Sequence, residues 1–384
     1  MDANIKKIIA QTFDQMAQGL ETGNFGNKPK IGLMGVGSEH GEGEMLAGAK
    51  MAATRGVDVT YIGSLTDARL KTAGAQNEAE AAQVMEALLK SGEIDAAVAM
   101  HYTFPIGVAT VGKVVTPAMG RDLYIATTTG TSATDRVAAM VLNAIYGIIA
   151  AKACGVEAPT VGILNIDGAR QVERALKELA ENGWAINFTQ SKRSDGGVFM
   201  RGNDVLNNPC DVLVCDSLTG NVLVKLLSSF HTGGGYEAVG YGYGPGIGEG
   251  AGELVLIVSR ASGAPVVAGA LEYAAQLVQG DWRKVAKAEF AAANKAGLKA
   301  VLAKIAEKTA APVQEAVTPP EKEIVTAEIS GIEITELDDA VTALWKLKIY
   351  AESGMGCTGP IVLVNEARYE EAAKILTEAG FVSE

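Results

Sequence analysis

The sequence predicts a three-layer α/β/α sandwich on a mostly parallel sheet, followed by a small C-terminal βαβα unit. Short, continuously apolar runs such as "KIGLM", "VDVTYIG" and "VLVCD" alternate with amphipathic segments of helical spacing. Strands covered on both faces read this way, whereas half-exposed strands alternate apolar with polar residues. The runs end in glycine- or hydroxyl-rich turns that open helices, the connection a parallel sheet requires. Composition agrees: of 384 residues, 48% are apolar and 20% charged, a globular balance that excludes wholesale disorder.

Residues 1–28 begin "MDANIKKIIAQTFDQMAQGL", a polar amphipathic helix without the continuous apolar core of a signal peptide. Residues 29–307 form the body. "KPKIGLMGVG" is a strand entering a Gly-rich turn, "EGEMLAGAKMAATRG" its helix and "VDVTYIGS" the next strand. "NEAEAAQVMEALLKSGEI" is a helix by its apolar spacing, and "DAAVAMHYT" the strand after it. "RDLYIATTTG", "SATDRVAAMVLNAIYGIIAAKACG" and "PTVGILNID" continue the alternation, as do "RQVERALKELAENG", "WAINFTQ", "CDVLVCDS" and "NVLVKLLSSF". In residues 308–323, "KTAAPVQEAVTPPEKE", proline and charge replace periodicity, as in a linker. Residues 324–384 give the C-terminal unit. "IVTAEIS" is its first strand, and "TELDDAVTALWKLKIYAESG" a helix opened by Thr335. "PIVLVN" is the second strand, and "EARYEEAAKILTEAG" a helix ended by Gly380. A unit of that size holds little core of its own and is expected to dock on the body or a partner.

The formal charge of −12 excludes a basic, phosphate-seeking nucleic-acid surface. No apolar run reaches membrane-spanning length, and the four cysteines at 154, 210, 215 and 357 form neither a disulfide framework nor a zinc spacing. A cytoplasmic protein without a metal is expected.

Cys357 stands apart, in "ESGMGCTGPIVLVNE". Its thiolate is a nucleophile, and N–H groups at Gly356, Thr358 and Gly359 could converge on sulfur or on a developing oxyanion. The alternative is a buried, inert thiol, the reading that fits Cys154 and Cys215. Two turns offer hydroxyls and N–H groups at helix starts: Thr128, Thr129, Gly130, Thr131 and Ser132, and Ser217, Gly220 and Asn221, with Lys225 two turns into the second helix. Each is a candidate phosphate site, or simply an N-cap. His101 and His231 are candidate bases. The glycines of "HTGGGYEAVGYGYGPGIGEGAG" must take positive-φ turns and lie close to a ligand or a neighbouring subunit, unless the stretch is a flexible loop.

The stretch "PTVGILNIDGARQVERALKELAENGWAINFTQ" followed by "CDVLVCDSLTGNVLVK" resembles the phosphate acyltransferases of bacterial phospholipid synthesis. The matching run is Asp216, Gly220, Asn221, Val222 and Lys225 in a D-x-x-x-G-N-V-x-x-K pattern. That resemblance covers roughly residues 29 to 305. It implies the fold shared with phosphate acetyltransferases and isopropylmalate-type dehydrogenases. The chain departs from it at His101-Tyr102-Thr103-Phe104-Pro105, where that family has Gly-Asn-Thr-Gly. It departs again at Ser259-Arg260-Ala261-Ser262-Gly263, where that family has Lys-x-His-Gly.

The whole chain, "GMGCTGP" included, resembles the α subunits of component C of glycine/sarcosine/betaine reductase complexes. That resemblance implies an acetyl thioester on Cys357, derived from a carboxymethyl selenoether on a small selenoprotein and passed to inorganic phosphate as acetyl phosphate. It implies no organic cofactor or metal. The implied partners are the selenoprotein and a ketoacyl synthase-like β subunit, in a homo- or hetero-oligomer. A stand-alone phosphate acyltransferase using CoA or carrier thioesters and a non-catalytic scaffold are the alternatives.

Overall fold

The computed structural model describes residues 12, 13, 16, 17, 28–191, 197–309, 317–332, 337–356 and 359–382. Most of the N-terminal segment therefore lies outside them; Thr12, Phe13, Met16 and Ala17 are helical and exposed.

The strands are β1 (Lys30–Met34), β2 (Asp58–Gly63), β3 (Lys71–Gly74), β4 (Ala96–Ala99), β5 (Phe104–Pro105), β6 (Val108–Val115), β7 (Asp122–Thr131) and β8 (Thr160–Leu164). They continue as β9 (Asn187–Phe188), β10 (Phe199–Met200), β11 (Val212–Val214), β12 (Gly244–Ile247), β13 (Val255–Ile257), β14 (Ala327–Ser330), β15 (Ala351–Gly356) and β16 (Gly359–Val364). The body's helices are α1 (Glu42–Thr54), α2 (Glu78–Ser91), α3 (Arg136–Ala153), α4 (Ala169–Glu181), α5 (Gly202–Asn207), α6 (Ser217–Ser229), α7 (Ala264–Gln279), α8 (Trp282–Lys295) and α9 (Leu298–Thr309). The C-terminal unit has α10 (Leu337–Lys346) and α11 (Tyr369–Glu378). Local chemistry sets several boundaries. Asn77, Asp135 and Asp216 each accept an N–H from the first turn of α2, α3 and α6, and Gly92 closes α2 in the left-handed region.

One large sheet runs β10-β8-β11-β7-β6-β12-β13-β4-β1-β2-β3, with β9 on β8. β13, β4, β1, β2 and β3 are parallel, and so are β7, β11, β8, β9 and β10. Between these sets, β13–β12, β12–β6 and β6–β7 are all antiparallel. Three reversals make the two sets run in opposite directions, so their C-terminal ends emerge at opposite edges of the sheet. Side chains alternate between faces as the pleat demands: Val212 and Val214 enter the core under α3, whereas Leu213 enters the core under α6. Helices α1, α3, α4, α7, α8 and α9 cover one face; α2, α5 and α6 cover the other. This is the expected three-layer architecture.

The glycine-rich stretch 231–252 supplies a strand. Gly244 takes φ 88, and a Cβ there would fall 1.7 Å from the Val111 carbonyl oxygen. Gly246 lies under Phe104, whose ring stands 2.2 Å from where a Cβ would be. The close approach that these glycines permit is to β6 and Phe104 within the same chain.

The C-terminal unit keeps the expected strands and helices and adds a strand, which corrects the βαβα reading to β-α-β-β-α. The helix expected to run through Gly354 stops at Lys346, because Lys348 turns left-handed at φ 58. Its N–H donates to Trp345 and that of Ile349 to Leu344, closing the last turn. The chain then runs extended as β15, antiparallel to β16, which pairs antiparallel with β14. Leu337, Leu344, Val362, Val364 and Leu376 form the unit's core, with Ile106 of the body packed against it.

Candidate active site

The segment from His101 to Gly107 carries the chain from the C-terminal end of β4 back to the start of β6, crossing the sheet from one edge to the other. β15 pairs with it antiparallel, Met355 opposite Phe104 and Gly354 opposite Pro105. The direction of pairing matters. The Gly356 end of the hairpin therefore leads toward Thr103 and His101, at the edge where β1, β4 and β13 end.

That edge is charged. Glu328 of β14 accepts from the Thr103 hydroxyl at 3.4 Å, and its Oε1 lies 3.7 Å from His101 Nε2. Its Oε2 is 3.4 Å from where a Cβ on Gly356 would stand. Arg260, just past β13, donates to both oxygens of Glu78 at 2.9 and 2.7 Å and to the Gly37 carbonyl at 2.8 Å. The guanidinium holds the Glu78 carboxyl below its ordinary range, and His101 adds a smaller effect in the same direction. Next to Arg260, the Ser259 hydroxyl accepts from Lys225 Nζ at 3.0 Å. Lys225 also pairs at 2.5 Å with Glu237, a fully buried carboxylate bonded to the Ser262 and Tyr243 hydroxyls. His40 faces the Ala261 carbonyl oxygen at 3.3 Å and packs against Tyr236. A half-exposed lysine and a half-exposed arginine thus flank the strand ends to which the hairpin points, and such cations suit an anionic substrate.

The residues singled out in the sequence fall into two places. His101 and Lys225 belong to this edge, and Gly356 and Gly359 form the last pair of the β15–β16 hairpin, which leads to it. Cys357 and Thr358, between those glycines, lie outside the described residues. The turn after β7 sits at the opposite edge. Thr128 is buried, donating its hydroxyl to the Tyr243 carbonyl at 2.6 Å; Thr129 is half-buried; Gly130 pairs with Ala109. The Thr131 carbonyl accepts the Gly107 N–H, and Ser132 donates to Asn143. Ser217, Gly220 and Asn221 open α6 at that edge too. There Asp216 takes the free donors of the first turn and pairs with Arg136 at 3.0 Å, and its carboxyl is held low despite its burial. His231 sits past the end of α6, exposed, with its ring edge-on to Phe230. Arg260, Glu78, Glu237 and Glu328 were not anticipated as site residues. The one signal for Arg260 was its place where a related family carries Lys-x-His-Gly.

The other thiols are poor competitors for chemistry. Burial pushes Cys154 up to about 11 and Cys210 up to about 12, and raises fully buried Cys215 further still. At neutral pH all three are overwhelmingly protonated. Brief iodoacetamide treatment of the native protein is expected to modify the peptide holding Cys357 and spare the other three. Peptide mass spectrometry checks this, and labelling of Cys154 ahead of Cys357 would contradict it.

Among the described residues, no group of three or more His, Cys, Asp and Glu side chains could hold a metal ion. One helix, Arg136–Ala153, is long and apolar enough to cross a membrane, and 72% of it is buried in the fold.

Comparison with known proteins adds four findings. The family model described as fatty acid synthesis protein matches residues 29–363. The chain is 56% identical over 384 residues to the "Glycine/sarcosine/betaine reductase complex component C subunit alpha" of Peptoclostridium acidaminophilum, covering 99% of this chain and 100% of that one. It is 29% identical over 235 residues to a phosphate acyltransferase of Thermus thermophilus, 51% of this chain and 70% of that protein. A solved branched-chain phosphotransacylase from Enterococcus faecalis V583 superposes with a TM-score of 0.44 at 18% identity, covering 65% of this chain and 99% of that one.

Proposed function

The chain belongs to the fatty acid synthesis protein family, together with the component C alpha subunit it matches along its length, and from that premise we propose that it transfers an acetyl group from Cys357 to inorganic phosphate within a reductase complex. The acetyl group derives from a carboxymethyl selenoether on a small selenoprotein partner. The C–Se bond is reduced to C–H as the selenium is oxidised to a selenenyl sulfide with a second thiol, and Cys357 displaces the carboxyl oxygen, which leaves as water. A ketoacyl synthase-like subunit completes the component. In the final step a phosphate oxygen attacks the thioester carbonyl. The new C–O bond forms, the C–S bond breaks, and the electron pair leaves on the sulfur of Cys357, giving acetyl phosphate and the free thiol.

Phosphate is a weak nucleophile in water, so holding and orienting it is the main work of the site. Lys225 and Arg260 are the cations suited to that task, and His101, oriented by Glu328, is the group suited to move the thiol proton. The turns at Thr128–Ser132 and Ser217–Asn221 stand at the other edge and serve the fold. One observation supports the reading above all. The β5–β15 pairing directs the Gly356–Gly359 end of the hairpin to the strand ends that carry His101, Arg260 and Lys225.

Arsenolysis of acetyl phosphate by the purified chain tests it, since arsenate replaces phosphate and the acyl arsenate hydrolyses. Arg260→Ala and Lys225→Ala are each expected to raise KM for arsenate, the stand-in for phosphate, by about 10-fold or more, with a smaller change in kcat, as loss of a charge-assisted contact predicts. Both variants binding arsenate like the wild type would remove the proposed anion site.

A further inference from the structure

Beside the two-residue pairing of β5 with β15, a cavity of about 370 Å³ opens between the C-terminal unit and the body, within the size range of small-molecule sites. Helix α10 lines it with Asp338, Val341 and Trp345, which share one side of the helix at spacings of three and four. Tyr350 and Glu352 line it from β15 and the residue before it, and Ile106 of the body borders it. What this lining offers a ligand is narrow. The indole N–H of Trp345 already donates to the Ala351 carbonyl at 3.0 Å, and the Tyr350 hydroxyl to Glu352 at 2.6 Å. Both rings are therefore left to present apolar and π surface. The charged groups are carboxylates alone: no lysine, arginine or histidine lines the cavity among the described residues. Glu352 is partly compensated by Lys322 at 3.4 Å, whose side chain is 80% exposed. Asp338 has no described cation beside it. Although open to solvent on one side, it is desolvated enough to hold its carboxyl above the ordinary range, and Asp339 pushes the same way. A carboxylate so placed costs the fold stability that a cation would restore.

We infer that this cavity binds a small alkylammonium ion, its charge beside Asp338 and its alkyl groups against Trp345 and Tyr350. Aromatic rings next to a carboxylate recognise such ions, because ring faces attract diffuse positive charge and apolar walls accept the methyl or methylene groups around it. A bare metal ion fits poorly. It needs several oxygen or nitrogen ligands, and no group of three or more acidic, His or Cys side chains exists among the described residues to supply them. An anion would meet two carboxylates, and a neutral apolar molecule would leave Asp338 as desolvated as before. The site stands apart from Lys225 and Arg260, so it does not rest on the acetyl-transfer reading. Its occupant touches both the C-terminal unit and, at Ile106, the body.

Tetramethylammonium chloride titrated into the full chain is the test, read by tryptophan fluorescence. Of the three tryptophans, Trp184 and Trp282 are 1% and 4% exposed, so an ion from solvent reports chiefly through half-buried Trp345. A saturable change is expected, with neither sodium chloride nor neutral tert-butanol at the same concentrations producing it. Asp338→Asn is expected to raise the half-saturation point by about 5-fold or more with an unchanged circular dichroism spectrum, the scale of one partly exposed ionic contact. Trp345→Leu removes the reporter, so saturation-transfer NMR on the methyl protons of the probe takes its place. The signal seen with the wild type is expected to disappear. A wild type that gives no saturable change overturns the inference. An equal response to tert-butanol does so too, because the cavity is then merely apolar. Asp338→Asn binding the ion as tightly as the wild type, or Trp345→Leu keeping the methyl signal, places the cation elsewhere and also overturns it.

Discussion

Cys357→Ala is expected to lower arsenolysis of acetyl phosphate by about 10³-fold or more while leaving the melting temperature where it was. The reason is specific to covalent transfer. A thiolate adds to acetyl phosphate and leaves again readily, so the difficult exchange between two phosphate-like nucleophiles splits into two easier steps. Alanine removes the carrier, and no other thiol of the chain can substitute. Cys210 and Cys215 are buried with their ionisation suppressed, and Cys154, at the C-terminal cap of α3, is held up to about 11 by burial. Cys357→Ser is expected to be nearly as inactive, since a serine hydroxyl at neutral pH is scarcely ionised. An acetyl adduct on the peptide containing residue 357, seen by mass spectrometry in the wild type and missing in both variants, would accompany the kinetic loss. Turnover preserved in Cys357→Ala would instead mean direct transfer to phosphate, and the thioester step would have to be given up.

Periodicity made much of the body legible. β1, β4 and β8 are short, largely apolar runs, and α2, α3 and α4 carry helical spacing. The caps lie elsewhere than the hydroxyls suggest: Asp135 caps α3 instead of Ser132 or Thr131, and α4 follows Gly168 without a side-chain cap. What stayed hidden was the middle of the sheet. β12 reads "GPGI", a composition that local propensity assigns to a loop, yet Pro245 pairs with Leu256 between β6 and β13. It is a strand because Gly244 and Gly246 alone allow β6 and the Phe104 ring so near, and that is a tertiary reason. β6 is disguised by Lys113, which looks like a surface residue but is buried against Asp122 at 2.9 Å and lies over the Tyr241 ring at 4.2 Å. The site divides in the same way. Cys357 declares itself through its glycines, and His101 through rarity. Glu237 gives no local sign, because its partners Lys225, Tyr243 and Ser262 converge only once the sheet has formed. The opposed directions of the two parallel sets are likewise invisible in the sequence. They decide that hydroxyl-rich turns after β7 and β11 face away from the hairpin tip.

Glu237→Ala should be the most damaging single change near the proposed anion site, costing about 1–3 kcal/mol of stability, the scale of buried hydroxyls left without their acceptor. The carboxylate is fully buried, pairs with Lys225 at 2.5 Å, and accepts from the Ser262 and Tyr243 hydroxyls at 2.6 and 3.1 Å. Removing it leaves the buried Ser262 and Tyr243 hydroxyls without their acceptor and takes the counter-charge from half-exposed Lys225, and unmet buried polar groups are expensive. The segment that holds it is also tied down by backbone, since the Glu237 N–H donates to Ala261 and its carbonyl accepts from Gly263. Loss of the side chain should therefore loosen the Ser259–Gly263 turn and Arg260 with it. Thermal and urea unfolding measure the first effect, and KM for arsenate measures the second. Replacing both partners, Lys225→Met with Glu237→Leu, separates them. An apolar pair of similar volume leaves no orphaned charge and should recover part of the lost stability. It should not recover phosphate affinity, because the cation is gone. A double variant that regained both would show that the pair serves the fold alone, and a Glu237→Ala protein as stable as the wild type would show that the buried ion pair does not hold this edge together.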